Sequence, residues 1–214
     1  MKATNLRENV LNKIRAAAKT NKQKFEIDEP DFKSHVFNMS DESLPEMFAK
    51  EFNKNYGKFI YCRNDKDFIQ QYSQLVEANR WESIFCTEES LFGLLDATNI
   101  NYNKKLQNLT SAEVGITTCE AIIARTGSII VSSGNHNTRS LSVFPPVHIV
   151  VAHFDHLFFD LDNAFKFLRE KYVNRFPSMI SIISGPSRTA DIEKTLVLGA
   201  HGPKSIYCFL INEK

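Results

Sequence analysis

The run Ser184-Gly185-Pro186-Ser187-Arg188-Thr189-Ala190-Asp191-Ile192-Glu193 is the densest set of ligand-binding side chains in the sequence. An apolar, strand-like stretch leads into it. Gly185 lets backbone N–H groups approach a ligand closely, Ser187 and Thr189 add hydroxyls, and Arg188 supplies a planar fixed charge suited to carboxylate or phosphate. A loop of this kind after a strand can cradle an anion. Ser, Gly and Pro are also ordinary turn formers, so the same residues suit a structural turn in which Arg188 pairs with Asp191 or Glu193. Further on, Gly199-Ala200-His201-Gly202-Pro203 makes a second turn before a final apolar run. His201 there is better suited to hydrogen-bond a ligand than to coordinate a metal.

Two other segments could carry chemistry. In Cys119-Glu120-Ala121 the carboxylate lies just past an expected strand, where it could serve as a general acid or base. It could equally be a rim carboxylate paired with Arg125 or Arg139. Thr126-Gly127-Ser128 follows as a turn before the next strand. In the loop Asn135 to Ser140, Arg139 is a second possible anion clamp. His148 and His153 fall on opposite sides of one strand by parity, and only His153 and His156 are close. That pattern does not converge on a metal, and His148, beside a proline turn, is again a hydrogen-bonding candidate. The four cysteines, Cys62, Cys86, Cys119 and Cys208, are no closer than 24 positions apart, which gives no zinc or iron–sulfur spacing. They read as reduced, small hydrophobes.

The elements that must position these residues alternate in type. Leu6, Val10, Leu11, Ile14 and Ala17 form a helical stripe, and a polar connector spans residues 21–39. A helix is expected from Asp41 to Asn55, capped by Ser40 or Asp41 and ended by Gly57. Then come strand Lys58–Cys62, helix Asp65–Ala78, a short strand at Ser83–Cys86 and helix Glu88–Leu95. Beyond Leu109 the strands are expected at Val114–Thr117, Ile129–Ser132, Val147–Ala152, Ile180–Ile183 and Ile206–Leu210. A helix, Asp160–Tyr172, sits among them. The rhythm is that of a mostly parallel sheet flanked by helices, an α/β fold. Residues 1–40 read as an N-terminal helix with its connector, and 41–214 as one globular domain.

Composition narrows the classes. The 214 residues carry 26 basic and 25 acidic side chains, a net charge of +1, which argues against a nucleic-acid or membrane-surface footprint. No signal peptide or spanning segment is evident, so the cytoplasm is the expected location. Gly-x-Gly-x-x-Gly, the P-loop and Gly-x-Ser-x-Gly are all missing, so no dinucleotide, nucleotide or serine-hydrolase reading gains support.

On the pieces Ala124-Arg125-Thr126-Gly127-Ser128, Arg139-Ser140, Pro145-Pro146-x-His148-Ile149, Ser184 to Glu193 and Gly199-x-His201-Gly202-Pro203, the sequence resembles the LUD domain family, the lactate-utilization protein B/C group. The likeness is firm from about Val114 to Leu210. It departs at Ser128, where threonine is common, and at Glu120, where aspartate is more frequent. The resemblance implies a fold similar to the NagB/RpiA/CoA-transferase group and, lacking a cysteine-rich module, the stand-alone C type. It also implies L-lactate oxidation to pyruvate alongside iron–sulfur partner proteins. The expected role is a non-redox subunit holding a small anionic ligand through Arg188 and Arg139, without a cofactor of its own. An isomerase-like or CoA-transferase-like enzyme using Glu120, and a purely structural assembly subunit, are the rival readings. An oligomer is compatible with all three.

Overall fold

The computed structural model describes residues 3–20, 42–134, 138–190 and 196–212. The expected connector over 21–39 lies outside the described residues, as do Asn135, His136, Asn137 and Asp191. The chain divides into two units, Met1–Ser40 and Asp41–Lys214. In the first, α1 (Ala3–Thr20) leaves Val10, Leu11 and Ile14 exposed.

The second unit opens with α2 (Leu44–Lys54), which starts later than expected. Its cap is Ser43, not Ser40 or Asp41. The Glu46 carboxylate accepts from both the Ser43 N–H (3.1 Å) and the Ser43 hydroxyl (2.7 Å). This Ser-x-x-Glu pairing, with Pro45 in the first turn, fixes the start beyond the two caps expected from sequence. Next come β1 (Lys58–Cys62), α3 (Asp65–Asn79), β2 (Ile84–Cys86) and α4 (Glu89–Asp96). The Asn64 side chain accepts from the Asp67 N–H at 3.0 Å and begins α3.

The remaining strands are β3 (Val114–Thr118), β4 (Ala121–Ile123), β5 (Ser128–Ser132), β6 (Val147–His153), β7 (Leu157–Phe158), β8 (Ile180–Ile183), β9 (Arg188–Ala190), β10 (Leu196–Leu198) and β11 (Ser205–Ile211). Between them lie α5 (Thr138–Leu141) and α6 (Leu161–Lys171). The central sheet is parallel throughout, in the order β1-β11-β6-β3-β2. This is the mostly parallel α/β architecture the element rhythm predicts.

The other strands do not join it. A second sheet, β7-β4-β5-β8, is mixed, and β9 and β10 pair as an antiparallel hairpin. Sequence reasoning passes over β4 and β7 because strands of three and two residues carry no periodicity.

Helices α3 and α4 cover one face of the central sheet, with Phe68, Tyr72, Val76, Leu91 and Leu95 packed on Ile116, Ile149, Val151 and Phe209. The other face meets α2 and the second sheet, where Phe48, Phe52, Ile122 and Ile129 pack on Val150, Ala152 and Cys208. Helix α6 closes the far side through Ala164 and Leu168. Both sheets are therefore sandwiched, which is why their strands read as unbroken apolar runs.

Candidate functional site

Two parallel strands of the central sheet, β6 and β11, begin side by side, with Val147 opposite Ser205 and His148 opposite Ile206. The turn ahead of β11 is stapled there by the Pro146 carbonyl, which accepts from the N–H groups of Lys204 (2.8 Å) and Ser205 (3.2 Å). Strand β8 of the second sheet runs into Ser184 at the same end. Ser187 then donates its N–H to the Pro203 carbonyl (2.8 Å) and accepts from the Gly199 N–H (2.9 Å). Gly202 lies so close that a Cβ on it would come within 3.2 Å of the Ser187 Cβ. The two motif turns, separate in sequence, are joined in space by these two backbone hydrogen bonds and form one wall.

Around this wall lies a cavity of about 420 Å³. Its polar lining comes from Arg139, Ser142, Ser181, Ser184, Ser187 and His201, with the backbone of Gly185 and Gly202. Among the described lining residues there is one permanent cation and no carboxylate. An anion entering here meets hydroxyl donors and a guanidinium without like-charge opposition. Of the residues singled out from sequence, Arg139, Ser184, Gly185, Ser187, His201 and Gly202 are thus brought together.

Others are placed elsewhere. The Arg188 guanidinium lies 4.9 Å from the ring centroid of exposed Tyr56 and does not line the cavity. Thr189 pairs with Val197 in the hairpin and does not line it either. Residues Arg188–Ala190 form a β-strand where a loop was expected from sequence. His148 is fully buried beside Ile206, which does line the cavity. Its Nε2 is 2.9 Å from the Thr117 hydroxyl, and its Nδ1 has no hydrogen-bond partner. Burial pushes the imidazole pKa down to about 3.

Thr126, Gly127 and Ser128 support the cavity from behind. The Ser128 and Ser184 hydroxyls are 2.8 Å apart. The Thr126 carbonyl accepts from the Asn55 side chain at 3.3 Å. Gly127, at φ 56°, sits where a Cβ would run into the α2 backbone at Glu51 and Phe52. A Cβ on Gly185 would likewise run into the Asn55 carbonyl. These two glycines serve close packing of α2, a purpose the sequence motif does not reveal.

Glu120 lies two residues past the end of β3 and is buried. Its carboxylate accepts from Ser132 (2.5 Å), Lys171 (2.8 Å) and Tyr172 (2.8 Å). Burial alone would raise its pKa, but these three hydrogen bonds and the Lys171 charge outweigh it and hold the carboxyl below its ordinary value. The cation is Lys171, where the sequence suggested Arg125 or Arg139. Along β3, Glu120 is five residues beyond Gly115, the residue level with His148, or roughly 16 Å of extended chain.

All four cysteines are buried and free. Burial raises the thiols of Cys62 and Cys86 to about 12, and those of Cys119 and Cys208 upward as well. Among the described residues no group of three or more His, Cys, Asp or Glu is placed to hold a metal ion.

The LUD domain profile matches residues 45–211, from the first turn of α2 to the end of β11. The chain belongs to the LUD domain family. An uncharacterized protein from Neisseria meningitidis serogroup B is 37% identical over 108 residues, 50% of this LUD chain and 46% of its own length. Lactate utilization protein C from Shouchella clausii is 32% identical over 117 residues, 54% of this chain and 51% of its own. The chain spans about half the length of these curated relatives. A solved DUF162 family protein from Deinococcus radiodurans superposes with a TM-score of 0.60 at 14% identity, covering 81% of this chain and 99% of that one. At that identity the likeness speaks to the LUD fold alone.

Proposed function

We propose that this LUD protein is a non-redox subunit that binds a small anionic ligand and supports oxidation of L-lactate or a related 2-hydroxy acid. Electron transfer would fall to iron–sulfur partner proteins, in the cytoplasm. One observation carries the reading: Arg139 shares a cavity with Ser142, Ser184, Ser187 and His201, and no described carboxylate lines it. The name lactate utilization protein C, carried by several relatives, supplies the substrate class. Among the described residues no helix is long and apolar enough to cross a membrane.

Thermal unfolding with lactate, pyruvate, sugar phosphates and acyl-CoA tests the reading. A ligand at 100 times its Kd adds about 2.7 kcal/mol, or roughly 5–10 °C in Tm at this chain length. Arg139→Ala should remove most of that shift while leaving the unliganded Tm within a few degrees, since Arg139 is exposed. Equal shifts in both proteins would remove the cavity from ligand binding.

A further inference from the structure

The polar residues occupy only part of the cavity wall. The rest is Val143, Met179, Ile182, Ile183, Pro203 and Ile206. Val143 and Ile182 are each 45% exposed, and Phe144, next to Val143 in the chain, is 70% exposed. Apolar side chains left open beside a cation and several hydroxyls are costly unless something covers them. The volume points the same way. A cavity of about 420 Å³ is in the range that encloses drug-sized molecules, ~300–1,000 Å³, and a three-carbon acid fills little of it.

Resting on the reading above, we infer that the preferred ligand is a 2-hydroxy or 2-oxo carboxylate with a branched or aromatic side chain. Its carboxylate lies against Arg139 and the Ser184 and Ser187 hydroxyls. Its side chain covers Val143 and Ile182. Strand β8 has a sheet partner on one side only, so main-chain groups along its outer edge are open to the ligand's hydroxyl or carbonyl oxygen.

The test is calorimetric titration of the full chain with L-lactate, 2-hydroxybutyrate, 2-hydroxyisocaproate and phenyllactate, and with the matching 2-oxo acids. Each buried methylene should tighten binding about three- to fourfold, and phenyllactate should bind at least tenfold tighter than lactate. Ile182→Ser, a substitution at a half-exposed position, should flatten the series. Lactate or pyruvate binding as tightly as phenyllactate would overturn this inference and leave the anion site standing. If no acid binds, and Arg139→Ala behaves as the wild type, the reading of the site as an anion pocket falls with it.

Discussion

At the residue scale, Glu120 shows how a functional-looking carboxylate is held. Its oxygens are engaged by Ser132, Lys171 and Tyr172, and the Lys171 side chain is 38% exposed. Lys171→Met strands a buried charge, but solvent reaches the site and softens the loss. The expected cost is about 1–3 kcal/mol at neutral pH, read by urea denaturation. It should shrink below about pH 4, where protonated Glu120 no longer needs the cation. An unchanged midpoint at neutral pH would show that the ion pair contributes nothing. The sequence marked Glu120 by its place after a strand, yet not its partner, which lies 51 residues away on α6. Arg139 was singled out by its loop, and it lines the cavity. Arg188 was not legible as a surface contact, because its partner Tyr56 belongs to a distant turn.

At the element scale, the long strands and helices follow from apolar periodicity, and the hairpin and the two shortest strands of the second sheet, β4 and β7, do not. Strands of two or three residues are fixed by partners supplied elsewhere in the chain. The same holds for α2, whose docking depends on Gly127. Gly127→Ala places a Cβ in the left-handed region and against the α2 backbone. The combined strain and overpacking should cost about 2–4 kcal/mol. Chemical denaturation checks this, and a loss below about 1 kcal/mol would show that α2 yields easily.

At the scale of the whole molecule, burial of His148 ties stability to pH. Its folded pKa, about 3, lies below the ordinary histidine value of 6.5. The unfolded chain therefore takes up a proton that the folded chain refuses. The stability tied to neutral His148 is complete above about pH 6.5 and is lost as pH falls toward 3, by up to ~1.4 kcal/mol per pH unit. His156, also lowered by burial, acts in the same sense. Between pH 6 and 5 the carboxylates contribute little, so a His148→Gln variant should show a flatter stability profile there. A slope matching the wild type would assign the acid limb to other groups.

The close seat of α2 has a thermodynamic consequence. Asn55, at its C-terminal end, presses on Gly185, and Gly185 lines the cavity. Occupancy of the cavity and docking of the helix are then linked equilibria. A ligand that favours the closed wall holds α2 in place by the same free energy that a loosened α2 subtracts from ligand affinity.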